Sequence, residues 1–122
     1  MRHYDVIIVG GGPAGSACAA QLTASGMKTA VLDLAEFPRL KLCAGWVTPE
    51  VLDNLDIEPK HYPYRLNTFE KLRIHIKGLA FNVKTTQHSI RRFEFDNFLL
   101  NRCGADIFNH NVKNIQRQNG KY

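Results

Sequence analysis

Hydrophobic residues near the start of the chain form one unbroken run and then recur at short intervals. Residues 4–9, YDVIIV, hold four consecutive branched apolar residues without polar alternation, which predicts a strand buried on both faces of a parallel sheet. A helix is predicted from about Ala14 to Ser25, and Gly26 is placed to terminate it. The apolar residues of KTAVLD, 28–33, predict a second strand. Strand, helix and strand over about 30 residues make a βαβ unit.

This regular pattern stops at residues 34–67, where prolines recur and loop is the main prediction. One short helix is expected within this segment. Thr48 is suited to its N-cap and Pro49 to its first turn, and it would end near Leu55.

Alternation of polar and apolar residues returns after the loop segment. Residues 70–77 predict an antiparallel strand that either is an exposed edge or has one buried face, and residues 79–86 its hairpin partner across Gly78. Residues 92–103 predict a helix with an apolar stripe. Two further strands are predicted at 105–110 and 112–118.

The last residues suggest that the chain continues. Asn119-Gly120 is a strong signal for a two-residue hairpin turn. Such a turn needs a returning strand, and the sequence ends at Tyr122. We therefore expect an N-terminal piece of a longer protein; a natural C-terminus is the alternative.

Composition narrows the class of protein. With 122 residues, 44% of them hydrophobic and 22% charged, the sequence fits one soluble globular domain. It has no apolar stretch of membrane-spanning length and no proper signal peptide, so a cytoplasmic location is predicted. The net charge of +5 is spread along the chain without the aromatic and basic clustering of a nucleic-acid platform. Its three cysteines and five histidines lack the spacing of a metal site or a disulfide framework.

The chemistry of the sequence is concentrated between the first strand and the first helix. Gly10, Gly12 and Gly15 form a G-x-G-x-x-G motif there. Its glycines provide a tight turn, a bare backbone for a pyrophosphate, and close packing of helix on strand. The pyrophosphate would meet the free amides and the positive dipole end of the helix. Asp33 ends the second strand, where a carboxylate accepts hydrogen bonds from an adenosine ribose.

These residues predict a dinucleotide but do not fully determine which one binds. A 2′-phosphate would call for a cation after the second strand, and Leu34 and Ala35 provide none, which disfavours NADP. The glycines alone do not separate FAD from NAD.

Three segments together resemble a known family. DVIIVGGGPAGSACAAQL at 5–22, FPRLKLCAG at 37–45 and RRFEFD at 91–96 are similar to FAD-dependent oxidoreductases of the geranylgeranyl reductase and aromatic-hydroxylase superfamily. The resemblance implies an α/β fold: a Rossmann-like FAD-binding βαβ unit with a parallel sheet, and antiparallel strands that begin a substrate domain. It implies a FAD-binding domain over 1–34 and again over 89–122, with a substrate-domain sheet starting at about 68–88 and the C-terminal remainder missing.

The resemblance also implies which residues meet FAD. Asp33 would hold the adenosine ribose, and Arg92 would reach the cofactor. Ala44 and Gly45 would approach the flavin, and Val112 the adenine. The residues that would line the pyrophosphate are Gly10, Gly12, Pro13, Ala14 and Gly15.

The function that this resemblance implies is flavin-mediated hydride transfer, such as reduction of an isoprenoid C=C bond, with NAD(P)H as a candidate electron donor. A lipid substrate would imply peripheral contact with a membrane. A flavin monooxygenase acting on an aromatic substrate and a non-catalytic dinucleotide-binding module are the alternatives. No residue has the features of a catalytic acid, base or nucleophile, and the chain alone is expected to bind FAD weakly and to be inactive.

Overall fold

The computed structural model describes residues 2–120 and 122 and divides the chain into two compact units. The first unit comprises the chain up to Arg39 and from Asp96 onward, and the second comprises Leu40–Phe95. Residues 1 and 121, which fall within the predicted segments 1–34 and 89–122, lie outside the described part. The elements are β1 (Val6–Val9), α1 (Pro13–Ala24), β2 (Thr29–Asp33), β3 (Trp46–Val47), α2 (Pro49–Asn54), a single 3₁₀ turn (Pro59–His61), β4 (Leu66–Ile76), β5 (Leu79–Ile90), α3 (Arg92–Arg102) and β6 (Asp106–Asn109).

A parallel sheet in the order β1-β2-β6 forms the first unit, which confirms the predicted βαβ unit. Ile8 lies in register with Val31, and Val31 with Ile107. The hydrophobic core lies against the face of the sheet that carries Ile8 and Val31, and it joins residues of α1, β2 and α3. Its fully buried members are Ala19, Val31, Leu100 and Cys103.

Helix α1 ends as its sequence predicts. Gly26 adopts φ +83°, and its N–H donates to the carbonyl of Thr23 at 3.0 Å. The N–H of Met27 donates to the carbonyl of Leu22 at 3.0 Å. This pair of bonds is a Schellman motif, which a glycine makes without steric cost.

The prediction that β1 is buried on both faces is wrong in this structure. Ile7 and Val9 are 55% and 58% exposed, whereas Ile8 packs against the core. Strand β1 bonds only to β2 among the described strands. Successive side chains of a strand point to opposite faces of the sheet. Among the described residues of this unit the helices cover only one of these faces, so Ile7 and Val9 on the other face stay exposed.

An antiparallel sheet in the order β3-β5-β4 forms the second unit. The predicted hairpin is confirmed, and both of its strands are longer than their apolar pattern indicated. Its turn residues, Lys77 and Gly78, have φ of 48° and 82°, the positive values of a type I′ turn. Helix α2 begins after Thr48 as predicted, although the Thr48 side chain makes no capping hydrogen bond. The core of this unit contains Val47, Leu52, Ile57, Tyr62, Ile90 and Phe95.

The last predicted strand, 112–118, is wrong in this structure. Residues 111–117 have no regular structure, and only Gln118 forms an isolated bridge. A strand exists only where another strand accepts its hydrogen bonds, and the alternation of side chains does not specify that partner. The turn at Asn119 and Gly120 does form, with φ of 51° and 81°.

The α/β class is thus confirmed, with one parallel sheet and one antiparallel sheet. Within the described part of the chain, no helix combines the length and apolar character needed to cross a bilayer.

Candidate functional site

The turn between β1 and α1 requires a glycine at its first position. Gly10 has φ +107°, a region that residues with a Cβ rarely occupy. Its N–H donates to the carbonyl of Leu32 at 2.8 Å, which continues the pairing of β1 with β2. The chain can therefore leave the sheet sharply at this point and enter the helix.

Gly15 is required by packing within the protein. A methyl group at this position would overlap the carbonyl oxygen of Gly10 and lie 3.3 Å from the side chain of Ile8. Only a residue without a side chain lets α1 approach β1 this closely. This confirms the packing role that the motif predicts for its third glycine.

Gly12 differs from both because the fold does not require a glycine there. Its φ of −70° and ψ of −176° are extended values that other residues adopt. A Cβ at this position would meet only Nη2 of Arg39, at an ordinary distance of 3.6 Å. The missing side chain therefore leaves the backbone open to a bound group.

Amide groups at the start of α1 are available to that group. Pro13 has no N–H, and the N–H of Ser16 donates to the carbonyl of Gly12 at 2.9 Å. Within residues 2–120, the amides of Gly12, Ala14 and Gly15 have no protein acceptor. Three free amides at the positive end of a helix form a site suited to a phosphate.

Asp33 lies at the end of β2 and contacts the glycine turn directly. One carboxylate oxygen accepts a bond from the N–H of Gly11 at 2.6 Å, and the other from the N–H of Ala35 at 2.8 Å. An ionised carboxylate can accept about four hydrogen bonds, so about two positions remain for ligand hydroxyls. Asp33 therefore fixes the turn and can also hold a ribose, and the first of these roles was missed from the sequence.

Arg39 is a second feature that sequence reasoning missed. Its Nη2 lies 3.6 Å from Oδ2 of Asp96, and its guanidinium lies 4.9 Å from the centre of the Phe37 ring. The Arg39 side chain is 20% exposed and that of Asp96 is 1% exposed. These contacts place a positive charge beside Gly12. A positively charged residue in a loop has no periodic pattern that would indicate its contacts. The sequence shows only that Arg39 follows Phe37 and Pro38.

Ala44 and Gly45, predicted to approach a flavin, belong to the second unit. Gly45 has φ +73°, and a Cβ there would overlap the carbonyl oxygen of Ile90. The N–H of Ile90 also donates to the carbonyl of Gly45 at 2.9 Å. Contact with β5 thus explains why position 45 is a glycine. Ala44 is exposed, and no comparable packing contact explains its small side chain. The thiol of Cys43 accepts a bond from the N–H of Gly45 at 3.3 Å.

The two remaining predicted residues lie in different units. Arg92 is the first residue of α3, is half-buried and belongs to the second unit. Val112 belongs to the first unit and is half-buried in the irregular stretch after β6. The structure therefore brings together the glycine turn, Asp33 and Arg39.

Comparison with known families agrees with this geometry. The model of the pyridine nucleotide-disulphide oxidoreductases matches residues 4–119. The chain belongs to this family. The geranylgeranyl diphosphate reductase of Rhodobacter capsulatus is 45% identical over 124 residues, which cover 97% of this chain and 31% of that protein. The resemblance to FAD-dependent oxidoreductases of the geranylgeranyl reductase type is thereby confirmed.

Solved structures of other proteins have the same fold as this chain. A flavin-dependent brominase superposes with a TM-score of 0.79 at 20% identity, over 96% of this chain and 32% of the brominase. A geranylgeranyl bacteriochlorophyll reductase-like protein from Thermoplasma acidophilum superposes with a TM-score of 0.73 at 24% identity, over 86% of this chain and 29% of that protein. The chain corresponds to less than a third of the length of each of these three proteins.

Proposed function

We propose that this chain holds the adenosine diphosphate portion of FAD. The pyrophosphate would bind the amides of Gly12, Ala14 and Gly15, with Arg39 neutralising its charge. The ribose hydroxyls would donate to the free lone pairs of Asp33. The observation that carries this proposal is the bare backbone at Gly12, because neither φ nor protein packing requires a glycine at that position.

The fit of this site to FAD can be judged from its charge and hydrogen-bonding groups. Donors and a cation face the phosphate position, and a carboxylate stands where a sugar would lie. Gly10 and Pro13 would shape the turn around the pyrophosphate. We extend the proposal to Ala44, Gly45, Arg92 and Val112 as further FAD contacts, supported by their match to the family motifs.

The proposed reaction is reduction of a C=C bond in an isoprenoid substrate, with NAD(P)H as electron donor. Its support is the 45% identity to a protein named geranylgeranyl diphosphate reductase. FAD, when bound, supplies the hydride chemistry, and the residues of this chain bind and orient it. No residue here is proposed as a catalytic acid or base, and a cytoplasmic location stays a prediction.

A second candidate function is halogenation or hydroxylation of an aromatic substrate. A flavin-dependent brominase shares the fold at 20% identity, so the fold is compatible with this function, whereas the likeness to the reductase is one of sequence. A non-catalytic FAD-binding module is the third candidate, and it would bind FAD tightly as this chain alone.

Titration of the purified chain with FAD, followed by flavin fluorescence, tests the proposed site. We expect weak but saturable binding by the wild type. Gly12→Ala would place a methyl group against the pyrophosphate and abolish binding. Arg39→Met would weaken binding about tenfold or more, because a hydrogen bond to a charged group contributes about 1.5–3 kcal/mol.

The matched control is Arg117→Met, which removes the same charge from an exposed position of the first unit. It should leave the affinity for FAD unchanged. Equal affinity of wild type, Gly12→Ala and Arg39→Met would contradict the site. Tight binding by the wild-type chain would instead favour the non-catalytic module.

A further inference from the structure

Ser16, in the first turn of α1, makes two hydrogen bonds back to the glycine turn. Its N–H donates to the carbonyl of Gly12 at 2.9 Å, and its hydroxyl donates to the carbonyl of Gly11 at 3.0 Å. Among the described residues, no backbone amide donates to the Gly11 carbonyl. Ser16 is only 1% exposed, and a buried hydroxyl costs free energy unless it is hydrogen-bonded. The hydroxyl and the Gly11 carbonyl therefore satisfy each other inside the first unit.

Helix formation does not explain a serine at position 16. The buried residues of α1 are Ser16 and Ala19, and alanine is the better helix former. Hydroxyls within a helix usually bond to the carbonyl three or four residues earlier, as that of Thr23 does. The Ser16 hydroxyl instead reaches five residues back, to a carbonyl that lies before the helix. Its bond therefore acts on the glycine turn.

The carbonyl of Gly11 belongs to the same peptide unit as the amide of Gly12. This peptide unit is planar and trans, so its C=O and its N–H point in opposite directions. The hydroxyl of Ser16 holds the carbonyl oxygen toward the buried side of the turn. The N–H of Gly12, one of the three free amides at the start of α1, consequently points away from the protein interior.

The turn itself does little to restrict the direction of this amide. A peptide unit rotates about the ψ of the residue before it and the φ of the residue after it, and here both residues are glycines. Glycine has few steric limits on these angles. The missing side chains that open the backbone to a ligand thus also leave the Gly12 amide free to turn away. A contact from outside the turn is needed to fix it.

We propose that Ser16 is a positioning residue for the pyrophosphate of FAD. Its hydroxyl fixes the peptide unit between Gly11 and Gly12, so that the Gly12 amide faces the phosphate before the ligand arrives. Asp33 fixes the preceding peptide unit in the same way, through its 2.6 Å bond from the N–H of Gly11. A donor that is already ordered loses less conformational entropy on binding. The proposal rests on the proposed FAD site and adds a residue that does not itself contact the ligand.

Ser16→Ala tests the hydroxyl alone, because the backbone bond to Gly12 is kept. FAD binding, followed by flavin fluorescence, should weaken about tenfold, which is the lower end of the effect of losing one hydrogen bond to a charged group. Thr23→Val is the matched control, since it removes a hydroxyl-to-carbonyl bond near the other end of the same helix. It should bind FAD as the wild type does. In thermal unfolding, Ser16→Ala should be at least as stable as this control, because alanine favours the helix.

A second measurement needs no ligand. The order parameter of the Gly12 amide, from ¹⁵N relaxation of the unliganded chain, should be about 0.85 in the wild type and below about 0.6 in Ser16→Ala. The amides of Ala19 and Val31, which lie in the core of the first unit, should keep their wild-type values in both variants. A purely structural role of Ser16 would lower stability without this local change.

Equal affinity of the wild type and Ser16→Ala for FAD would overturn the proposal. An equal loss of affinity in Thr23→Val would also overturn it, because the effect would then follow from stability. So would a Gly12 amide that is as ordered in Ser16→Ala as in the wild type. If the wild-type chain does not bind FAD at all, the proposed FAD site fails, and the order parameter of the Gly12 amide alone decides whether Ser16 fixes the turn.

Discussion

Replacing Gly15 with alanine tests whether contact between α1 and β1 determines the geometry of the glycine turn. The new methyl group would overlap the carbonyl oxygen of Gly10, which is backbone and cannot rotate away. Either the first turn of α1 must move outward or the turn at Gly10 must open. Both movements disturb the packing of Ile8 and Ala19 in the core of the first unit.

The expected cost follows from two opposing contributions. Forcing an extra methyl group into a well-packed contact costs about 1–3 kcal/mol. Alanine is a better helix former than glycine by about 1 kcal/mol in a helix interior, and this gain applies only partly in the first turn. The net loss of unfolding free energy should be about 1–2 kcal/mol, which lowers Tm by roughly 5–10 °C.

Thermal unfolding followed by circular dichroism measures this loss, and Gly12→Ala is the matched comparison. Alanine at position 12 meets no obstacle closer than 3.6 Å, so Tm should stay the same or rise slightly through the lower entropy of the unfolded chain. The reasoning is refuted if Gly15→Ala is as stable as the wild type. It also fails if both variants lose the same stability.

Two other predictions concern contacts within the first unit. Thr23 donates its hydroxyl to the carbonyl of Cys103 at 2.7 Å, so Thr23→Val should lose about 1–2 kcal/mol in urea unfolding, whereas Thr23→Ser should keep most of the stability. The hydrogen bond from Tyr4 to Asp106, at 2.7 Å, raises the pKa of the Tyr4 hydroxyl above its usual value. The stabilisation by this bond should therefore be complete below pH about 10 and disappear as pH rises through the higher pKa. Comparison of wild type with Tyr4→Phe in unfolding experiments across this pH range measures it, and a stability difference that does not change with pH would contradict it.

Elements determined by local sequence were predicted correctly. Helix α1 has a proline at its start and Gly26 after its end, and both signals act within a few residues. The turn at Lys77 and Gly78 is set in the same way by a residue that tolerates positive φ. The parallel sheet was also predictable, because a continuous apolar strand followed by a helix and a second strand has few other arrangements.

Features that depend on distant partners were not predictable. The two residues of β3, Trp46 and Val47, form a strand because they pair with Ser89 and His88 of β5. Nothing in a two-residue segment indicates that pairing in advance. The failed strand at 112–118 is the opposite case, in which a suitable pattern has no partner among the described strands.

The candidate site shows the same division between local and distant causes. The G-x-G-x-x-G motif predicts a different role for each of its three glycines, and the structure distinguishes them in the same way. Gly10 needs a positive φ, and Gly15 needs contact with the Gly10 carbonyl; both reasons lie within the protein. Gly12 needs neither, and its neighbours are free amides and Arg39. The proposed phosphate ligand would explain this one position, so binding of FAD should be lost in Gly12→Ala without loss of the fold.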